Sequence, residues 1–450
     1  MCRATALGAC GLPTSTLKRR GKVTYDLLEG LRVLELGRFI SAPYCGKLLA
    51  DLGAEVIKVE PPGTGDPARQ YGPFLHDEPH SERSGLFLYL NANKLGVTLN
   101  LATPTGQDIF QGLLARCDVL VHNLHPQEMD QLGLEYDTLR QFNPGLVMAS
   151  ITPFGLTGPY RNYKAYDINL AAAGGICQGL GQPDREPLTF GTPQVGYFAG
   201  MAAASSIGIA LLARDVSTAT SGHPSSKSPL NPPLQRGDGG ISEGQGQHID
   251  IAEAEAIAGV YNGPEALMAV YQWRLTRRTG HHALDFPYPN CILRCKDGYI
   301  FVGAPEGRQW RKLLELMGNP EWSRDPRFAD RTAMNNLYAD EMDGYLEAWL
   351  TKYTKAELLA LALEHRIPLA PVRGFDEVRH DPSLADLFVE IDRADTGPIS
   401  YPGPPYILED AQTRPPLPAP YLGQHNEEVY CGALGYTKEQ LVKLYQTGII

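Results

Sequence analysis

Few residues in this chain have the type and spacing to do chemistry. His281-His282 would suit a metal, but no acidic residue stands at ligand spacing in the sequence, so an exposed turn is expected and no metal site is assigned. Cys291 and Cys295 have the form of half a metal site; with no second pair they read as reduced structural thiols. Asp167, in "AYDINLAAAGG", precedes an alanine-rich run and stands where an aspartate caps the helix that follows. The loop "GRFISAP" follows an apolar run where a phosphate-binding turn would lie. It has no GxGxxG, which disfavours nicotinamide or flavin chemistry.

Elements must position these groups, and the first part of the chain supplies them in alternation. "LRVLEL" reads as a buried strand, "YCGKLLADLG" as a helix ending on glycine, and "AEVIKVE" as a second buried strand. "GVTLNL", "DVLVHNL" and "LVMASITPFG" read as further strands, with "TPTGQDIFQGLLARC" and "YDTLRQFN" as helices between them. Strand, helix, strand through about residue 155 predicts an α/β fold with a parallel, Rossmann-like sheet. Val195 to Ala213 carries no charge and is long enough to span a membrane. Its Ala/Gly/Ser-rich composition instead predicts a helix buried among others. After it, "HIDIAEAEAIAGVYNG" resumes helical spacing, "NCILRCKDGYIFVGAP" predicts a hairpin turning at Asp-Gly, and helices follow from "RQWRKLLELMG" to "KAELLALALEH".

Composition narrows the partners. The chain has 450 residues, 43% hydrophobic and 20% charged, with a net charge of −11, which disfavours nucleic acid or an anionic membrane. Eight scattered cysteines make no disulfide frame, and the N-terminal stretch has no apolar core of signal-peptide length. A reduced, cytoplasmic compartment is expected.

Four stretches occur in order: "LRVLELGRFISAPYCGKLLADLGAEVIKVEPPGTGDPAR", "VHNLHPQEMDQLGL", "CKDGYIFVGA" and "LGQHNEEV". Together they resemble the class III (CaiB/BaiF type) CoA-transferases and the related α-methylacyl-CoA racemases, from about residue 29 to the C-terminus. The resemblance implies a Rossmann-like large domain with a parallel sheet, a smaller α+β domain and an interlocked dimer. Expected boundaries are an N-terminal extension at 1–28, the large domain at 29–214, a Ser/Pro/Gly-rich insertion at 215–247, linker helices at 248–280, the small domain at 281–375, and a C-terminal segment at 376–450 returning to the large domain. It implies a coenzyme A thioester as substrate, no permanently bound cofactor, and a carboxylic acid as acceptor.

In the transferases an aspartate within D-Y-x-A-G attacks the thioester. Here that pattern reads Gly196-Tyr197-Phe198-Ala199-Gly200, with the helix closing at Arg214, so Gly196 occupies the nucleophile's place and offers no oxygen. The nearest acids, Asp184, Glu186 and Asp215, are displaced by about ten residues or more; Asp167 is the fallback, at a place where transferases often carry an acid. Tyr166 replaces the racemase histidine, so both halves of a racemase proton relay are missing. By resemblance, Phe39, Ile40 and Ser41 border the pantetheine and thioester, and Leu99, Asn123, Leu124 and Leu132 the adenine and ribose. Pro61, Ala102 and Gln131 stand where transferases place basic phosphate contacts, with Lys94 or Arg38 as candidates to compensate. His425 is expected to fix local packing. In lacking the aspartate, the chain resembles the non-nucleophilic subunit of a heteromeric member that moves CoA from succinyl-CoA to an aromatic succinate in anaerobic aromatic degradation. The implied partner is a homologous subunit bearing the aspartate.

Overall fold

Short apolar runs bounded by turn residues order themselves as strands of one sheet. They are β1 (Arg32–Leu36), β2 (Glu55–Glu60), β3 (Leu95–Thr98), β4 (Val119–His122), β5 (Val147–Thr152) and β6 (His248–Ala252). The computed structural model describes residues 24–220, 244–261, 270–271, 278–283, 286–409 and 411–450. Most of the expected N-terminal extension and of the expected insertion lies outside the described residues, as does much of the linker region.

The strand order is β3-β2-β1-β4-β5-β6, and every pairing from β3 through β5 is parallel. The order reverses between β1 and β4, and an open α/β sheet of this kind leaves a crevice at the carboxyl ends of those strands. The helices α1 (Ser41–Asp51), α2 (Pro104–Leu114) and α4 (Tyr136–Phe142) run where the sequence predicts them, and a further short helix, α3 (Pro126–Leu132), lies between α2 and α4 in the chain. Thr103 caps α2 by accepting from the Gly106 N–H, with Pro104 at its first position. Ile109, Phe110 and Leu113 of α2 pack on Leu34, Ile57, Val97 and Leu120, and Tyr430 and Ile449 from the chain's end join the same core.

One expectation needs correcting. "HIDIA" has apolar residues compatible with a helix, yet it forms β6; the helix, α7 (Glu253–Tyr261), begins after it. Pairing decides this, because the Gln247 carbonyl accepts from the Met148 N–H of β5 at 2.8 Å and draws the segment to the sheet. At the opposite edge, β3 is clipped by the C-terminal segment. His425 Nδ1 accepts from the Gly96 N–H at 2.9 Å, and Asn426 Oδ1 accepts from the Thr98 N–H at 2.8 Å. The packing role expected of His425 is this protection of a sheet edge.

α5 (Asp167–Ala173) precedes α6 (Val195–Thr220), which continues six residues past Arg214 into the stretch read as insertion. α6 is long and apolar enough to cross a membrane by length and composition alone. Its burial is only partial: Ala199, Ala203, Ile207 and Ala210 are buried at helical spacing, whereas Ile209 on another face is 70% exposed.

Two compact units emerge. One gathers the described residues of 1–150, 203–249 and 379–450, the other those of 151–202 and 250–378. The second unit contains the predicted hairpin, β7 (Asn290–Cys295) and β8 (Gly298–Gly303), extended by β9 (Leu369–Pro371) into an antiparallel sheet. α8 (Gly307–Leu316), α9 (Arg331–Leu350) and α10 (Lys355–His365) close its core of Ile300, Val302, Trp310, Leu346 and Leu358. Cys291 and Cys295 are buried free thiols, and burial pushes the Cys291 thiol up.

A histidine relay crosses the large sheet. His122 Nε2 lies 2.6 Å from Ser150 Oγ, which lies 2.8 Å from His248 Nε2. Burial, reinforced by His248, lowers His122 to about 3. The unfolded chain therefore binds a proton from about pH 6.5 downward that the folded chain refuses until about pH 3, and the unfolding free energy falls across that window. His122→Asn is expected to flatten this decline, which approaches about 1.4 kcal/mol per pH unit for one such group. Urea melts of parent and variant from neutral pH to about pH 5 check it; parallel pH profiles would contradict the assignment.

Candidate functional site

The turn after β1 stands on buried charge. Lys58, fully buried in β2, places its ammonium 3.0 Å from Glu35 Oε1, 2.8 Å from Asp66 Oδ2 and 2.8 Å from the Gly37 carbonyl oxygen. Asp66 Oδ1 accepts from the N–H groups of Phe39 and Ala68. Those bonds hold Phe39 at φ +62°, a left-handed conformation that costs a non-glycine residue about 1–2 kcal/mol. Asn123 completes the clamp across the switch between β1 and β4. Its Oδ1 accepts from the Arg38 N–H at 2.8 Å, and its Nδ2 donates to the Arg38 carbonyl and to Ser41 Oγ.

The other oxygen of Glu35 meets Lys94 Nζ at 2.7 Å. α1 passes so close that a Cβ on Gly46 would lie 2.0 Å from that oxygen, so only glycine fits there. Burial lowers Lys94 to about 8 against the opposing pull of Glu35. Burial also disfavours charge on Lys58, but Asp66 and Glu35 more than offset it and hold its ammonium above the ordinary range. The Asp66 carboxyl, raised by burial, is drawn below its ordinary range by Lys58 and its N–H donors.

Above this base a cavity of about 300 Å³ opens at the carboxyl ends of β1, β2 and β3. Leu99, Leu124 and Leu132, expected at the adenine and ribose, line it together with Pro61 and Ala102. Phe39, Ile40, Ser41 and Asn123 are not among its walls: they form the adjoining turn and the start of α1, where Ile40 and Ser41 are buried. Gln131 is exposed on α3. The compensating cations proposed from sequence fare differently. Lys94 is buried against Glu35, Asn91 and the Pro43 carbonyl, and so cannot reach a phosphate. Arg38 does line the cavity, but Glu128 grips its guanidinium at 2.9 and 2.6 Å.

In the second unit Gly196 is buried in the first turn of α6. Asp167 does not cap its own helix: Tyr166 precedes it, and Asn169 Oδ1 accepts from the Tyr166 N–H. Its carboxylate instead accepts from Val195 N–H at 2.8 Å through Oδ1 and from Gln194 N–H at 3.3 Å through Oδ2. It therefore caps the helix that carries Gly196, a long-range contact that the following alanine-rich run hid. Among the other carboxylates, Asp184 and Glu186 are exposed on a loop. Asp215 pairs with Arg214 at 3.3 Å, about five turns along α6 from Gly196.

The expected exposed turn at His281-His282 is only half exposed. The His282 side chain is largely covered, and both rings reach Asp343 of α9, an acid too distant in sequence for spacing to find. The buried charges around Lys58 were also missed. Their signal was present, since a lysine and a glutamate inside the apolar run "AEVIKVE" must either be paired or break the strand.

The sequence profile of CoA-transferase family III matches residues 28–221 and 240–426. The chain belongs to CoA-transferase family III. It is 33% identical to a succinyl-CoA–D-citramalate CoA-transferase of Chloroflexus aurantiacus, covering 94% of this chain and 98% of that one. It is 32% identical to a formyl-CoA:oxalate CoA-transferase of Streptomyces avermitilis, covering 94% and 99%. A CaiB/BaiF family protein from Brucella suis has the same fold, with a TM-score of 0.77 and 29% identity over 91% of this chain and 100% of that one. The α/β architecture with a parallel sheet and a smaller antiparallel sheet is thus the fold of the transferase family.

In this CoA-transferase the turn from Gly37 to Ile40 depends on Lys58. Lys58→Met leaves Glu35 and Asp66 partly unpaired in the interior and is expected to destabilise the protein by about 3–5 kcal/mol in urea unfolding. A Lys58→Met protein as stable as its parent would show that the turn does not rest on this cation.

Proposed function

We propose that this chain is the non-nucleophilic subunit of a heteromeric family III CoA-transferase. The observation that carries the reading is Gly196, buried at the start of α6 where the family pattern has its aspartate. The fallback, Asp167, supports it: both carboxylate oxygens already accept backbone N–H groups at the same helix start. Ionised caps of this kind are stabilising at a helix N-terminus, and using the group as a nucleophile would uncap α6.

In this reading a homologous partner supplies the aspartate. Its carboxylate adds to the thioester carbonyl and expels CoA thiolate, giving a mixed anhydride. The thiolate then attacks the aspartyl carbonyl, releasing the donor acid and leaving an aspartyl-CoA thioester. The acceptor carboxylate attacks that thioester, expelling CoA thiolate and forming a second mixed anhydride, and the thiolate then attacks the acceptor's acyl carbon and releases the aspartate carboxylate. The present chain completes the assembly. The exposed Ile209 and Leu212 on α6 suit burial against a partner.

The cavity is assigned to the CoA thioester, with Leu99, Leu124 and Leu132 as apolar walls. Phe39, Ile40, Ser41 and Asn123 belong to this assignment as the turn at the thioester end. Because Glu128 holds Arg38, the cavity offers little free positive charge to a nucleotide phosphate, in keeping with a subunit that need not turn over. Succinyl-CoA is the favoured donor, the one named for the Chloroflexus relative, and the acceptor is a carboxylic acid such as an aromatic succinate. A reducing cytoplasmic setting accords with the six described cysteines, all free.

Trapping the acyl-enzyme tests this. The chain purified alone and incubated with succinyl-CoA is expected to give no hydroxylamine-sensitive adduct. Transfer should appear on co-expression with a homologue retaining D-Y-x-A-G. An adduct mapped by mass spectrometry to Asp167 would establish instead a self-sufficient enzyme, and a reconstituted pair inert with every CoA donor would indicate a CoA-binding protein without catalysis.

A further inference from the structure

The second unit gathers three groups that CoA transfer does not use. His281 and His282 come from the turn before β7, and Asp343 from the middle of α9. Both imidazoles direct Nε2 at the same carboxylate oxygen, Asp343 Oδ2, at 2.8 and 2.9 Å. The three ligand atoms lie within 4.8 Å of one another. His282 and Asp343 are largely buried, with side-chain exposures of 7% and 13%, whereas His281 at 39% opens the cluster to solvent.

We infer that His281, His282 and Asp343 form a site for a divalent transition metal of the zinc class. Two nitrogens and one oxygen suit Zn²⁺, Co²⁺ or Ni²⁺ better than Ca²⁺ or Mg²⁺, which favour all-oxygen sets. Bonds of about 2.0–2.1 Å in tetrahedral geometry place neighbouring ligand atoms roughly 3.3 Å apart, so the two nitrogen–oxygen distances need widen by only about half an ångström. The carboxylate has the outer contact of a metal ligand. Asp343 Oδ1 accepts from the buried Tyr288 hydroxyl at 2.9 Å, which fixes the carboxylate and leaves Oδ2 facing the imidazoles. Nδ1 of His282 is buried without a protein partner, so hydrogen bonding orients this ring only through Nε2, the atom that meets Asp343.

Charge agrees with the geometry. One carboxylate and two neutral imidazoles bring a single negative charge to a divalent ion, and the open side at His281 leaves a position for water. Such an ion would join the turn before β7 to α9, contacts now made by His281, His282 and Asp343 and by Asn335 Nδ2 to the carbonyls of Ala283 and Phe286. This inference does not rest on the heteromeric reading, because its site lies apart from Gly196 in sequence and its test reads no transferase activity.

The full-length chain, stripped with a chelator and titrated with Co²⁺ or Zn²⁺ alone, tests it. One Co²⁺ per chain with the visible bands of a four- or five-coordinate ion is expected, together with a melting temperature that rises with Zn²⁺. His281→Ala, at a partly exposed position, should fold and weaken binding by at least about tenfold; Asp343→Asn should weaken it further. Binding equally tight in His281→Ala, or a Co²⁺ spectrum unchanged from the aqueous ion, would overturn the site. If Asp343→Asn fails to fold, the comparison with His281→Ala decides alone.

Discussion

The large sheet depends on one buried cation. Lys58 sits fully dehydrated between Glu35 on the neighbouring strand and Asp66 on the following loop, and it also donates to the Gly37 carbonyl. Isolated, any of these charges would be too costly to bury; together they are compensated, with Lys94 matching the second oxygen of Glu35. The arrangement converts a loop without glycine-rich phosphate chemistry into a rigid turn. Phe39 can hold its left-handed backbone because Asp66 accepts its N–H, and Asp66 is fixed there by Lys58.

That base also explains the cavity's electrostatics. The strongest cations of the region are spent inside the protein: Lys58 and Lys94 on Glu35 and Asp66, and Arg69 on Glu60 and Glu82. Arg38 remains at the wall, already paired with Glu128. The crevice therefore joins apolar walls of Leu99, Leu124 and Leu132 to a rim whose Arg38 charge is already balanced. A similar economy appears at α6. Gly196 is buried in the first turn of α6, and the carboxylate of Asp167, well upstream in the chain, serves the backbone of the same helix start.

How much of this was legible beforehand differs by element. β1, β2, α1 and α2 are strong patterns of apolar spacing with glycine or threonine-proline boundaries, and the hairpin at Asp297-Gly298 follows from its turn residues. "HIDIA" deceived because five residues with two isoleucines fit either period, and only the vacant edge of β5 selects a strand. Of the residues expected from the family resemblance to border CoA, Leu99, Leu124 and Leu132 gather on one cavity, while Asn123 clamps the turn.

Taken by itself, the order of residues determined the α/β class, the family, and the lack of a side-chain oxygen at position 196, because each of these is local: periodicity, motif succession, or the identity of one side chain. Tertiary structure alone decided which charges neutralise one another and which distant groups meet. Lys58 with Asp66, Arg38 with Glu128, Asp167 with the start of α6, and the histidine pair with Asp343 are all brought together by chain reversals. Coulomb and hydrogen-bond energies fall off over a few ångströms, and no spacing along a chain records that distance.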